Sequence, residues 1–160
     1  MGAEIGHMTL VRGGRQCECG RLGCWEEYAS GSSLERDARE AVARGEAPAL
    51  LEAATSPASV TGQMVTALAQ QGDADSIRLL GDLARGLATG ISSLLAILDP
   101  SVVVIGGGVS AAGRLLLDPL ELALHADVSG GSRRPVPPLR LAELGNDAGI
   151  VGVADLARRA

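Results

Sequence analysis

Three cysteines and one histidine crowd into one early stretch of this chain. They limit what it can fold into more than any other feature. Cys17 and Cys19 are separated by one residue, Cys24 follows, and His7 lies ten positions before Cys17. Three thiolates and one imidazole make a complete Cys₃His tetrahedral set for zinc. Gly13, Gly14, Gly20 and Gly23 permit the tight turns that would bring the four together. No ligand is left over and no position stays open, which points to a structural zinc rather than one carrying a reactive water. Two other readings use the same residues: a disulfide with one free thiol, or His7 as an ordinary hydrogen-bonding histidine. An odd thiol count without a secretory leader speaks against the disulfide. The downstream thiols and the glycine-rich surroundings of His7 favour a ligand.

Two carboxylates flank the set. Glu4 lies three residues before His7, and Glu26 two after Cys24. Pinned by a metal, both would face one pocket and accept hydrogen bonds from hydroxyls. The two ring nitrogens of His7 are chemically separate, so one can serve the metal and the other a ligand.

Glu4-Ile5-Gly6-His7, followed by Cys17-x-Cys19-Gly20-x-x-Gly23-Cys24-x-Glu26, resembles the signature of the ROK family (repressors, open reading frames and sugar kinases). The longer run from Cys24 to Gly31 resembles the glucokinase branch found in high-GC Gram-positive bacteria. The resemblance implies that His7, Cys17, Cys19 and Cys24 hold zinc, a motif spanning 7–24. It implies that Glu4, His7 and Glu26 bind sugar hydroxyls. The implied fold is α/β: the C-terminal lobe of an actin-like, hexokinase-type (ribonuclease H-like) ATPase with an inserted zinc-binding loop, covering 1–160. The implied reaction is transfer of the γ-phosphoryl of Mg²⁺-ATP to the 6-hydroxyl of glucose or a related hexose. Full-length members are commonly homo-oligomers. The resemblance covers nearly all of this chain but only the C-terminal half or so of the family's length. The family's catalytic Asp and first phosphate loop lie in the other lobe, and no Asp-x-Gly-Gly-Thr occurs here. The expectation is therefore a lobe with little kinase activity by itself. Two alternatives stand beside it: the sugar-sensing lobe of a transcriptional repressor of the same family, or a zinc-built interaction module without catalysis.

A chain of 160 residues suits one domain with a real core. A net charge of −5 argues against a nucleic-acid or anionic-membrane partner. Every basic residue is Arg, and without Lys there is no Walker A loop. No apolar run reaches the ~20 residues of a membrane span, and a thiol-built zinc set suits a reducing cytoplasm.

Along the rest of the chain, Ser33 is the expected cap of a helix over 34–44. A short helix or turn follows within 46–59. A helix over 60–71 places Val60, Met64, Val65 and Leu68 on one side. The longest helix runs 74–98, capped by Asp73 and ended by Asp99-Pro100, with Ile77 through Leu98 recurring at three-and-four spacing. Gly81, Gly86 and Gly90 lie inside it; close backbone packing and a glycine-rich composition are equal explanations. Val102 to Ile105 reads as a buried parallel strand. It turns through Gly106, Gly107 and Gly108 into a helix from 111 to about 125, interrupted or kinked at Pro119. The family resemblance places this glycine turn on the adenosine side of the ATP site. A Gly, Arg and Pro-rich loop over 129–138 holds solvated Arg133 and Arg134. A last strand over 139–144 and a closing helix over 146–159 follow, capped by Asn146 or Asp147. That helix would turn Ile150, Val151, Val153, Ala154 and Leu156 toward the core.

Overall fold

The computed structural model describes residues 4–128 and 135–159. Its organising element is the 25-residue helix α5, Ala74–Leu98, about 37 Å long at 1.5 Å per residue. The predicted bounds hold. Asp73 caps the helix by accepting from the Ser76 amide at 2.8 Å, and Asp99 ends it in the left-handed conformation with φ 44°. Leu80, Leu83, Leu87, Ile91 and Leu95 are buried along it. Ile77, expected on the same face, is 40% exposed. By length and composition this helix is apolar enough to cross a membrane, which reading uninterrupted runs missed. Here it is the core on which α1 (Glu26–Ala29), α2 (Gly31–Ala43), α4 (Gly62–Gln70) and α6 (Arg114–Asp127) pack.

Local chemistry accounts for most element bounds. Helix α2 begins earlier than expected, because Ser30 and not Ser33 is its cap. Ser33 is the third helical residue, and its hydroxyl accepts from the Ser30 amide while Ser30 accepts from the Ser33 amide. That reciprocal pair satisfies two otherwise free N–H groups. Helix α3 (Pro48–Ala53) opens on a proline, and a 3₁₀ turn, Pro57–Ser59, follows. Thr61 caps α4, so Val60 precedes that helix. Helix α4 buries Val65, Thr66 and Ala69, while Met64 and Leu68 are half-buried. Pro119 sits inside α6 without ending it, and Leu116, Leu120 and Leu124 are fully buried at four-residue spacing.

Strands β1 (Val103–Ile105) and β2 (Leu139–Leu141) pair in parallel, Val103 opposite Leu139 and Ile105 opposite Leu141. Both are shorter than predicted. The first is not buried throughout: Ile105 is covered, but Val104 is 58% exposed. The helix expected from residue 111 is a 3₁₀ turn, Gly108–Ala112, followed by α6. The expected cap at Asn146 or Asp147 falls in the 3₁₀ turn Gly145–Asp147, and the side chain of Asn146 lies outside what is described. Helix α7, Ala148–Arg159, departs furthest from expectation. None of its described residues is buried, and Ile150, Val153 and Leu156 are about as open as its charged ones. Its periodicity was read correctly, but no described element lies against its apolar side. Arg133 and Arg134 lie outside the described residues.

Candidate functional site

The cysteine loop folds back on itself through backbone hydrogen bonds. The Leu10 amide donates to Gly23 O at 2.7 Å and the Trp25 amide to Met8 O at 2.8 Å, with antiparallel bridges Thr9–Cys24 and Gln16–Leu22. Gly23 is at φ +77°, and a Cβ there would stand 1.6 Å from the Val11 carbonyl oxygen. Only glycine allows that crossing. Its effect is to place Cys24 beside the turn Ile5–His7 that carries the histidine.

The four predicted ligands converge. One donor atom each of His7, Cys17, Cys19 and Cys24 lies within 4.8 Å of the others. Cys19 Sγ and Cys24 Sγ are 3.5 Å apart, and Cys17 Sγ is 3.7 Å from His7 Nδ1. A zinc tetrahedron with Zn–S near 2.3 Å and Zn–N near 2.05 Å has edges of about 3.8 Å between sulfurs and about 3.6 Å from sulfur to nitrogen. These two distances match such edges, and the donor types are those that zinc takes. Cys17 and Cys24 are buried and Cys19 is exposed. The Arg21 backbone and side chain, hydrogen bonded to Cys19, pull its thiol down to about 6. The carboxylate of Glu26, accepting from Cys17, holds that thiol well above its usual range. Burial raises Cys24. Arg21 also donates from its guanidinium to the His7 carbonyl, so one side chain braces two of the four clustered residues.

Both predicted carboxylates meet His7. Glu26 Oε1 is 3.1 Å from Nδ1, and Glu4 Oε2 is 4.0 Å from Nε2. The side on which Nδ1 lies faces the thiols; Nε2 and Glu4 face solvent, Glu4 being 79% exposed. Glu26 therefore lies on the thiol side of the imidazole, accepting from Cys17 Sγ at 3.0 Å, and Glu4 on the side open to solvent.

The predicted glycine turn lies elsewhere but close by. Gly106, Gly107 and Gly108 line a cavity of about 300 Å³ together with Ala29, Ser30 and Gly31. A neighbouring cavity of about 460 Å³ is bounded by Gly108 and Val109 on one side and by Glu35, Thr61 and Gln63 on the other. Gly107, at φ +76°, makes the turn, and the Ser110 amide and hydroxyl both bond its carbonyl. Helix α1 connects the two parts: Glu26 is its first residue and Ala29 its last. Glu26 and the glycine cavity are therefore about one helical turn apart. Arg21 and the opposite walls Ser30, Glu35, Thr61 and Gln63 are not among the residues expected from sequence. Nothing local marks these residues, because α2 and α4 bring them to the turn from distant positions. The Ser30–Ser33 capping pair was the one available signal.

The model of the ROK family matches residues 1–160. The glucokinase of Streptomyces coelicolor is 41% identical over 159 residues, covering 98% of this chain and 50% of that protein. That of Halalkalibacterium halodurans is 36% identical, covering 95% of this chain and 46% of that protein. The crystal structure of a ROK family glucokinase from Streptomyces griseus, in complex with glucose and AMPPNP, superposes with a TM-score of 0.91 at 40% identity. It matches 99% of this chain and 52% of that one. The chain spans about half the length of the curated relatives it matches.

Proposed function

This chain belongs to the ROK family, and from that premise we propose that it is the sugar-binding and zinc-binding lobe of an ATP-dependent hexose kinase whose acceptor is glucose. The observation that carries the reading is the His7 junction, where one imidazole meets a thiol cluster and Glu26 through Nδ1 and turns Nε2 to Glu4. Charged carboxylates make the strong hydrogen bonds that sugar hydroxyls need. The similarity to the glucose-bound structure from Streptomyces griseus supports glucose among hexoses.

His7, Cys17, Cys19 and Cys24 are the residues that would hold zinc, which would lock the loop and fix which nitrogen of His7 faces the sugar. Glu4, Glu26 and His7 Nε2 bind and orient the hydroxyls. The glycine turn and the cavity walled by Glu35, Thr61 and Gln63 are the place for the nucleoside of ATP. Phosphoryl transfer depends mainly on positioning and charge neutralisation. In this reading the chain supplies the positioning of the acceptor, and the proton acceptor and phosphate loop come from the family's other lobe. The test is titration calorimetry of zinc-loaded protein with glucose. Binding should weaken about tenfold or more in Glu26→Gln, since the amide keeps the shape but gives up the charge-assisted bonds. Undiminished binding in that variant, or none in the parent, overturns the reading.

A further inference from the structure

We propose that Trp25 is a positioning residue of this site: seated on helix α5, it sets the placement of Cys24 before it and Glu26 after it. Its indole is 8% exposed and donates from Nε1 to the Gly86 carbonyl at 2.8 Å. A Cβ at Gly90 would lie 2.0 Å from Trp25 Cε2 and 2.3 Å from its Nε1; a Cβ at Gly86 would lie 2.4 Å from the Tyr28 carbonyl oxygen. Gly86 and Gly90 are four residues apart and so share one side of α5. They form a bare strip on which the backbone of α1 and the tryptophan ring rest directly. Gly81, the third glycine of that helix, has only the end of Arg85 near its Cβ position, at 3.7 Å. Composition can explain Gly81, but not the pair.

Helix α1 has four residues, too few to hold its own orientation. Its direction comes from what it rests on, and Glu26 takes its aim from that. The Trp25 amide also donates to the carbonyl of Met8, next to His7. One residue therefore joins the histidine turn, the buried Cys24 and the Glu26 carboxylate to the core helix. The sugar half of this inference rests on the sugar-kinase reading above; the metal half does not.

The experiment uses the zinc-loaded chain and four variants: Gly90→Ala, Trp25→Leu, the double variant and Trp25→Phe. Zinc release to a chromogenic chelator, glucose affinity by calorimetry and the emission of this sole tryptophan are measured. Gly90→Ala should speed zinc release by about tenfold, as losses of outer partners do at metal sites, and should shift the emission to the red. In the Trp25→Leu background the same alanine should change release by less than about twofold, the coupling expected of residues in contact. Trp25→Phe keeps a ring but loses the N–H, and should raise both the zinc release rate and the glucose dissociation constant. Should Gly90→Ala not fold, Trp25→Phe decides, and unchanged zinc release in it overturns the proposal. Equal effects of Gly90→Ala with and without Trp25, or none in either, also overturn it. A parent that holds zinc but binds no glucose removes the sugar-kinase reading and leaves the metal half to these release rates.

Discussion

Single residues at the loop carry more of this site than their size suggests. A Cβ at Gly23 has no room, since the Val11 carbonyl oxygen occupies its place. Relaxing that contact would separate the strands that bring Cys24 to His7. Gly23→Ala is expected to lose roughly 3 kcal/mol or more of stability, a magnitude reserved for backbone strain and broken sites. Chemical denaturation of the zinc-loaded protein measures it, and a change within experimental error would contradict the crossing described. The proposed cysteine ligation carries a second residue-scale prediction. Purified protein should carry about one zinc per chain, and Cys17→Ser should lower both metal content and melting temperature because site formation and folding are linked. Full occupancy in that variant would remove Cys17 from the set. The donor types and spacing made the convergence of these four side chains readable from sequence, because grouping them is a short-range demand on one loop. Arg21 was not readable, because an arginine on a loop has no spacing to betray what it touches.

Elements were legible where local chemistry alone decides them. The bounds of helix α5 follow from its periodicity, its Asp73 cap and the Asp99-Pro100 stop. Helix α2 was misplaced by three residues because two serines competed for one cap and only tertiary packing buries Ser33. Ser30→Ala should cost about 1 kcal/mol, the usual value for a lost N-cap. It should also loosen the cavity at the glycine turn that Ser30 lines. Thermal melts read the first effect, and nucleotide binding the second. Helix α7 shows where pattern reading fails. Its apolar stripe was visible, but periodicity says only that one side wants cover, not that this chain supplies it. Since Ile150 and Val153 are 74% and 68% exposed, aspartates at both positions should change the stability of the 160-residue chain by less than about 0.5 kcal/mol. A large loss on denaturation would mean that the helix packs on this chain after all.

At the scale of the whole molecule, the question is what half a relative's length can do. The expectation is binding without appreciable turnover. In the proposed reading Glu4, His7 and Glu26 hold hydroxyls and the glycine turn takes the nucleoside, yet transfer also needs a group to direct the hydroxyl proton and a cradle for the triphosphate. General-base catalysis alone contributes ~10²–10⁴-fold, and lost alignment of two substrates costs more. A chimera provides the comparison, with this chain replacing the matched 52% of the Streptomyces griseus glucokinase. The TM-score of 0.91 argues that the junction can be made without distorting either part. With glucose and Mg²⁺-ATP in a coupled assay, the chimera should turn over at least about 10²-fold faster than the 160-residue chain. The same chimera tests the α7 side: the paired aspartates, harmless in the short chain, should lower its melting temperature if the added lobe covers that helix. Comparable turnover by both proteins would show that the phosphoryl-transfer groups lie within these 160 residues, and the search for the proton acceptor would then return to the aspartates of this chain.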